Sequence, residues 1–396
     1  MDPVTALELV KHGATLLLLD VPQYTLVGVD TQIFSIGPAF KGIKMIPPGI
    51  HFLYYSSSSR DGKEFSPVVG SFIDVGPSEV IVRRWELQEE RLGKISEEEA
   101  ERFAGAVKRL EFDGNLGPYN LSHNGEWKRL SNYITRSIIE RIEPIGGEIM
   151  ITSESGMVHN VSKTSVEKAL DEQLMNSKFS ISTSNHKSMK RGCYYTSIPR
   201  TIKHRGINAN ELTSLNLDKT ELLEDILMKD YGGKEDVLLG ELQFAYVAFL
   251  MGQSLEGFLQ WKSMVCLLLG CIEAPFRTRS QLYTKFIKVI YYQLKYGLQK
   301  DRADANAAGL GVSTLLDESW FGADSFLHQL FKEFFSLVQE ASVVDGDLLT
   351  WARKLKELVE NELGWEFQHG STVDGIYFAE DDEYAPVVEM LEDQSV

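Results

Sequence analysis

The side chains best suited to chemistry are few and scattered. The chain holds eight histidines and three cysteines among 396 residues. No two histidines stand four apart, so the paired-imidazole face of a helical zinc site is missing. Cys266 and Cys271 are five apart, a spacing that does not share one helical face, and no histidine joins them. Glycine-rich phosphate loops, HExxH, GxSxG and HRDxxxxN are all absent from the sequence. Carboxylates are plentiful, but in an acidic chain most are solvated. His51 and His123 are the two histidines that invite a test as bases. His51 sits in an apolar run with no acid in it, which favours a structural role. The residues give no specific support for a catalytic centre, a metal or a cofactor.

The elements that would position His51 are strands. "ATLLLLDV" (14–21), "YTLVGVD" (24–30), "QIFSI" (32–36), "IHFLYYS" (50–56), "PVVGSFIDV" (67–75) and "EVIVRRWEL" (79–87) are short apolar runs punctuated by Gly, Pro, Asp and Ser. Their spacing predicts an antiparallel sandwich or barrel rather than alternating βαβ units. Pro47 and Pro48 cannot donate ladder hydrogen bonds, and Gly49 permits unusual backbone. This stretch is therefore expected to turn a corner and deliver an aromatic strand into the core. Phe52 and Tyr54 would face one side of it, and His51, Leu53 and Tyr55 the other.

Helices follow. "SEEEAERFAGAVKRL" opens with Ser96 and Glu99 in capping-box spacing. "GEWKRLSNYITRSIIERI" puts Trp127, Leu130, Ile134 and Ile138 on one face of a single helix that Pro144 stops. "ELQFAYVAFLMGQSLEGFLQWKSMVCLLL" carries the strongest helical signal and is apolar all round, which predicts a central buried helix. Gly252 and Gly257 within it imply a close helix approach or a break. Three more helices are expected over 280–298, 325–341 and 347–365. The stretch from 148 to 195 is polar, with a short helix possible over 166–175, and its Lys187, Lys190 and Arg191 are either solvated linker or an import patch. After Lys356 there are twelve acids and no lysine or arginine. That end is either a frayed terminus or an acidic, β-prone segment able to add a strand to a partner's sheet.

The domains expected are thus a β-rich unit with flanking helices (1–147), a polar linker (148–195), a helical unit (196–370) and an acidic tail (371–396). The fold class is α+β. A net charge of −17 disfavours general binding to nucleic-acid phosphates and suits a soluble protein or one with protein partners. "MDPVTALELVKHG" has no basic segment followed by an apolar one, so no signal peptide is expected. "SMVCLLLGCIEAPF" holds Glu273 and is too short to span a bilayer. Three cysteines without CxxC spacing point to reduced thiols. Cytoplasm and nucleus are the expected compartments. Asn120-Leu121-Ser122 and Asn160-Val161-Ser162 fit the glycosylation pattern, which is common by chance.

"GATLLLLDVPQYTLVGVD", "SIGPAFKGIKMIPPGIHFLYYS" and "ELQFAYVAFLMGQSLEGFLQWKSMVCLLL" together resemble the AAR-two splicing-factor family, over nearly the whole chain. The ending "EDDEYAPVVE" looks like that family's acidic-to-apolar end. The resemblance implies a non-enzymatic assembly factor of the spliceosomal U5 snRNP. It would bind the large scaffold protein of that particle at its RNase H-like and Jab1/MPN-like domains, keeping the helicase and RNA from engaging early. It also implies an N-terminal β-rich domain, a VHS-like helical domain, and a tail strand made of Tyr384, Ala385, Pro386, Val387, Val388 and Glu389. Pro386 has no N–H, so it fits only where that donor faces away from the partner. The alternatives are a trafficking adaptor built on a VHS-like module, and an enzyme using His51 or His123. On the first reading there is no cofactor, no metal, no membrane and no strong direct nucleic-acid contact.

Overall fold

The computed structural model describes residues 12–59, 65–150, 192–199, 209–306 and 325–367. In the N-terminal half the strands are β1 (Ala14–Leu19), β2 (Leu26–Val29), β3 (Gln32–Ser35), β4 (Gly42–Ile46), β5 (Gly49–Ser56), β6 (Val69–Val75), β7 (Val80–Glu86), β8 (Arg91–Lys94), β9 (Leu116–Pro118) and β10 (Ile149–Met150). They form two five-stranded sheets, ordered β8-β7-β1-β4-β9 and β10-β6-β5-β2-β3. Leu16, Leu18, Ile43, Val27, Leu53 and Ile73 from both sheets meet in one cluster between them.

Alternation explains why β1 and β5 read as unbroken apolar runs. Leu16 and Leu18 of β1 enter the cluster between the sheets, while Leu17 and Leu19 join Val82 on the outer face. Phe103 and Val107 of helix α1 (Glu97–Lys108) cover that outer face. Leu53 and Tyr55 of β5 point between the sheets, and Phe52 and Tyr54 point toward the helices, as the period of two requires. A strand covered on both faces loses its polar-out positions.

The antiparallel expectation needs one correction. β1 runs parallel to β7, with Leu16 opposite Ile81, and β4 runs parallel to β9, with Gly42 opposite Leu116. A parallel neighbour needs a long crossover. Between β1 and β7 that crossover contains most of the second sheet. Pro47 and Pro48 mark one crossing point: β4 belongs to the first sheet and β5 to the second. Gly49, at φ +134°, starts the new strand in a conformation few other residues adopt. The prolines sit where no ladder donor is needed.

The helices beyond β9 are α2 (Asn124–Ser131), α3 (Arg136–Ile142), α4 (Ala209–Leu217), α5 (Thr220–Asp230), α6 (Glu235–Leu250), α7 (Leu255–Leu269), α8 (Ser280–Asn306), α9 (Phe326–Glu340) and α10 (Gly346–Leu363). Two expected helices are each a pair. The stretch 125–142 breaks between Ser131 and Arg136, although Trp127, Leu130, Ile134 and Ile138 are all buried in one cluster as predicted. The strongest helical signal divides into α6 and α7, which pack on each other. Gly252 lies in their turn, and the Ser254 hydroxyl caps α7 by accepting from the Gly257 amide at 2.9 Å. The expectation of deep burial is met: every residue of α6 from Leu238 to Leu250 is buried. The predicted helix over 166–175 and the basic cluster at 187–191 lie outside the described residues.

One apolar cluster crosses from the β half to the helical half. Phe52 and Phe72 of the second sheet join Trp127, Ile138, Phe244, Phe249, Phe258 and Phe286. The Phe72 and Phe244 rings stack with centroids 4.5 Å apart. The two halves therefore share a core.

Candidate functional site

Two buried polar hubs organise this molecule, and the first is built on His51. Asp30 follows β2 in the two-residue turn to β3, at φ +57°, a conformation aspartate tolerates. Its carboxylate turns inward. Oδ1 accepts the Phe52 amide at 3.0 Å, and Oδ2 accepts the Tyr119 hydroxyl at 2.6 Å. His51 Nδ1 lies 2.6 Å from the same Oδ2, and Nε2 lies 2.6 Å from the Pro47 carbonyl. Facing one carboxylate and one carbonyl, both ring nitrogens donate, which only the imidazolium does. Burial lowers the His51 pKa; the hydrogen bond and charge of Asp30, with the Pro47 carbonyl, more than offset this and raise it. Burial, reinforced by the Asp30 charge, pushes the Tyr119 hydroxyl far up, so it remains a neutral donor.

An Asp–His pair is also the orienting half of a catalytic triad. Here the second ring nitrogen is spent on the Pro47 carbonyl, and His51 is 2% exposed. The arrangement pins the proline corner of β5 to the β2–β3 turn. Trp127 of α2 adds to it, stacking on the imidazole at 6.5 Å and donating its indole N–H to the Ile50 carbonyl at 2.8 Å. The acid missing from the histidine's own segment comes from the turn that closes the neighbouring strand β2.

The second hub is Glu241, fully buried in α6. Oε1 accepts the Thr196 amide at 2.7 Å and the Gln260 amide at 2.8 Å. Oε2 accepts Arg141 at 3.0 Å, the Thr196 hydroxyl at 2.9 Å and the Tyr231 hydroxyl at 3.2 Å. Arg141 also lies over the Tyr231 ring at 4.7 Å. These partners come from α3, the segment 192–199, α7 and the C-terminal end of α5. Beside this hub, Gln243 accepts the Tyr133 amide at 2.8 Å and donates to the Arg129 carbonyl and the Asn132 side chain. That contact sits at the break between α2 and α3 and satisfies backbone groups the broken helix leaves open. Gly240, one residue before Glu241, completes the joint. A Cβ there would stand 2.1 Å from Ile138 Cδ1 and 2.5 Å from the Tyr133 carbonyl, so only glycine admits α3 this close.

The remaining sequence candidates fall elsewhere. His123 is at the surface end of a short 3₁₀ turn, 3.7 Å from Glu126, its one ion-pair partner among the described residues. Cys266 and Cys271 are buried, Cys193 is half-buried, and no disulfide joins them. Burial pushes the Cys271 thiol up to about 12, so it is a poor nucleophile. Asn120 spends its side-chain oxygen on Ser122, capping the turn. Tyr384, Ala385, Pro386, Val387, Val388 and Glu389 lie outside the described residues. Among the described residues no three His, Cys, Asp or Glu side chains gather as a metal site would require, and no helix is long and apolar enough to cross a membrane. Between α9 and α10 runs a groove of about 590 Å³, lined by Phe335, Val338, Val344 and Leu349 with Arg353 and Lys356 beside them. It offers apolar contact and positive charge, the makings of a binding surface.

A two-sheet sandwich sharing its core with a helical bundle, through a buried glutamate joint, is the class this chain falls in. Residues 12–144 match the family model described as AAR2 N-terminal domain, and residues 195–368 match AAR2 C-terminal repeat region. The chain belongs to the AAR2 family. It is similar to Protein AAR2 homolog of Homo sapiens, 29% identical over 98% of this chain and 96% of that one. The Mus musculus protein of the same name is 28% identical over 93% of each. A1 cistron-splicing factor AAR2 of Saccharomyces cerevisiae is 23% identical over 68% of this chain and 73% of its own length.

Proposed function

We propose that this protein is a pre-mRNA splicing factor that acts by occupying a protein surface, as an assembly chaperone of the U5 snRNP. The observation that carries this reading is family membership across both halves of the chain, together with the yeast relative's description as a splicing factor. The physical arrangement supports it. The histidine most open to a catalytic reading is committed to the fold, and the two halves share one core, which makes a stiff platform of the kind a placeholder needs.

On this reading the partner is the large U5 scaffold protein, engaged at its RNase H-like and Jab1/MPN-like domains in the cytoplasm and nucleus. The grip is the tail strand Tyr384 to Glu389. Main-chain hydrogen bonds from an added strand give affinity, and the entropy lost on ordering it keeps the complex reversible. Calorimetry with the scaffold's two domains tests the proposal. The full chain should bind, and removal of residues 371–396 should weaken binding by about tenfold or more with no fall in melting temperature. A full chain that ignores the scaffold overturns the function; equal affinity with and without the tail removes the tail from it.

A further inference from the structure

We infer that the acidic end of the chain, residues 374–396, docks on a basic, aromatic face of its own helical half when no partner holds it. The face is built on Trp351 of α10. Its ring centroid lies 5.6 Å from that of Tyr291 and 5.9 Å from that of Tyr292, both on α8. Four cations lie over these rings. Lys354 and Lys288 stand 4.5 and 5.4 Å from the Trp351 centroid. Lys295 stands 5.9 Å from Tyr291, and Arg129 of α2 stands 5.1 Å from Tyr292. Lys288, Lys354 and Arg129 are exposed.

What sets this face apart, among the described residues, is the gathering of four cations without an ion pair over three linked rings. Several half-buried cations elsewhere meet acids: Arg84 meets Glu99, Arg91 meets Glu86, Arg279 meets Glu224, and Lys285, three residues before Lys288, meets Asp236. Among the described residues none of Arg129, Lys288, Lys295 and Lys354 has a carboxylate within 4.0 Å. The chain carries 57 acids against 40 lysines and arginines, so this concentration of unopposed positive charge runs against the sign of the whole. Each cation over its ring is held at about 0.5–1 kcal/mol, which pre-orders the face for an anionic, aromatic ligand.

The chain itself supplies such a ligand on the same helix. Beyond Phe367 come 29 residues (396 − 367) with eight acids, three aromatic side chains and no lysine or arginine. Trp351 lies twelve residues before the last residue of α10, about 18 Å at 1.5 Å per residue. An extended chain covers about 3.3 Å per residue, so the acidic run Glu380–Glu383 reaches Trp351 and Lys354 with length to spare. Tethering also decides between occupants. A free acidic peptide or an RNA must approach against a net charge of −17, whereas a tethered segment is already present at a millimolar-scale effective concentration. This docking does not depend on the function proposed above, and its failure leaves that function untouched.

The test is zero-length carbodiimide coupling of the full chain, with equal amounts of normal and ¹⁵N-labelled protein to separate links within a chain from links between chains. Glu380–Glu383 should couple to Lys288, Lys295 and Lys354 within one chain. The yield should fall about tenfold between about 0.05 and 1 M salt, as screening shortens the reach of the charges. In K288E/K354E the coupling of the untouched Lys295 should fall about tenfold as well. That variant should keep the parent's near-ultraviolet circular dichroism; the salt series on the unaltered chain stands in if it does not. Coupling of the tail chiefly to Lys356 or other lysines, coupling between chains, or Lys295 coupling indifferent to salt overturns the inference. So does a short single-stranded RNA that binds this face equally well with and without residues 371–396.

Discussion

The two halves of the molecule use their buried polar groups for opposite ends. In the β half, His51 and Asp30 lie on one sheet, 21 residues apart in sequence, and their bond fixes a corner the chain has just turned. In the helical half, Glu241 gathers donors 100 residues before it and 19 after it, and its bonds hold separate segments together. The first hub draws all its partners, Asp30, Pro47, Tyr119 and Trp127, from the N-terminal half. The second exists only when both halves are present. A buried charge thus serves here as a pin in one place and as a joint in the other, and the residue that looks like chemistry is the pin.

The largest effects are expected at the joint. Glu241→Ala leaves Arg141, Thr196, Tyr231 and Gln260 without their shared acceptor. Arg141 is 31% exposed and can take up water, so the loss falls short of the roughly 3–5 kcal/mol of a fully buried ion pair. It is expected at about 2–4 kcal/mol, most of it from the buried donors of Thr196, Tyr231 and Gln260. Urea denaturation followed by tryptophan fluorescence should show that loss, and the single transition should broaden or split as the halves uncouple. A loss below about 1 kcal/mol with one sharp transition contradicts the joint. Gly240→Ala should cost less, about 1–3 kcal/mol, because Ile138 can shift but the Tyr133 carbonyl is backbone. If Gly240→Ala proves neutral, α3 has room to move away and the close approach is not required.

How much of this was legible in the sequence differs in the same way. The strands that became β1, β2, β3, β5, β6 and β7 could be read because turn residues bracket them. β8, β9 and β10 are too short for a period to show, and β4, "GIKMI", lay in a stretch read only as a corner. The assignment of Phe52 and Tyr54 to one face and Leu53 and Tyr55 to the other followed from the period alone. The partner of His51 did not, since Asp30 was part of another strand; an acid closing "LVGVD" just before a turn was the available signal. The joint was missed because periodicity reads only apolar residues. Glu241, Gln243 and Gln260 are buried polar residues in largely apolar helices, and each binds a segment distant in sequence. The break after α2 has no proline or glycine to announce it. It is set by Gln243, a tertiary contact that overrides local propensity.

The smallest effect separates the pin from the joint by its dependence on pH. His51 has a folded pKa above the value of about 6.5 that it takes in the unfolded chain. The folded state therefore binds the proton more tightly, and stability must fall as pH rises through the interval between the two values. The contribution is full below about pH 6.5 and gone above the folded pKa, with a limiting slope of about 1.4 kcal/mol per pH unit for one proton. The groups facing the imidazole are Asp30, the Pro47 carbonyl, the Tyr119 ring and the Trp127 ring, with Lys128 acting weakly against protonation. Denaturation series between about pH 6 and 9 should show this decline in the parent chain and a flatter profile in His51→Gln, which loses the titrating group. Glu241→Ala should shift the whole curve downward and leave its slope unchanged, because no His51 contact is lost with it. A decline of equal slope in His51→Gln would assign the titration to another group and leave the pin without its charge.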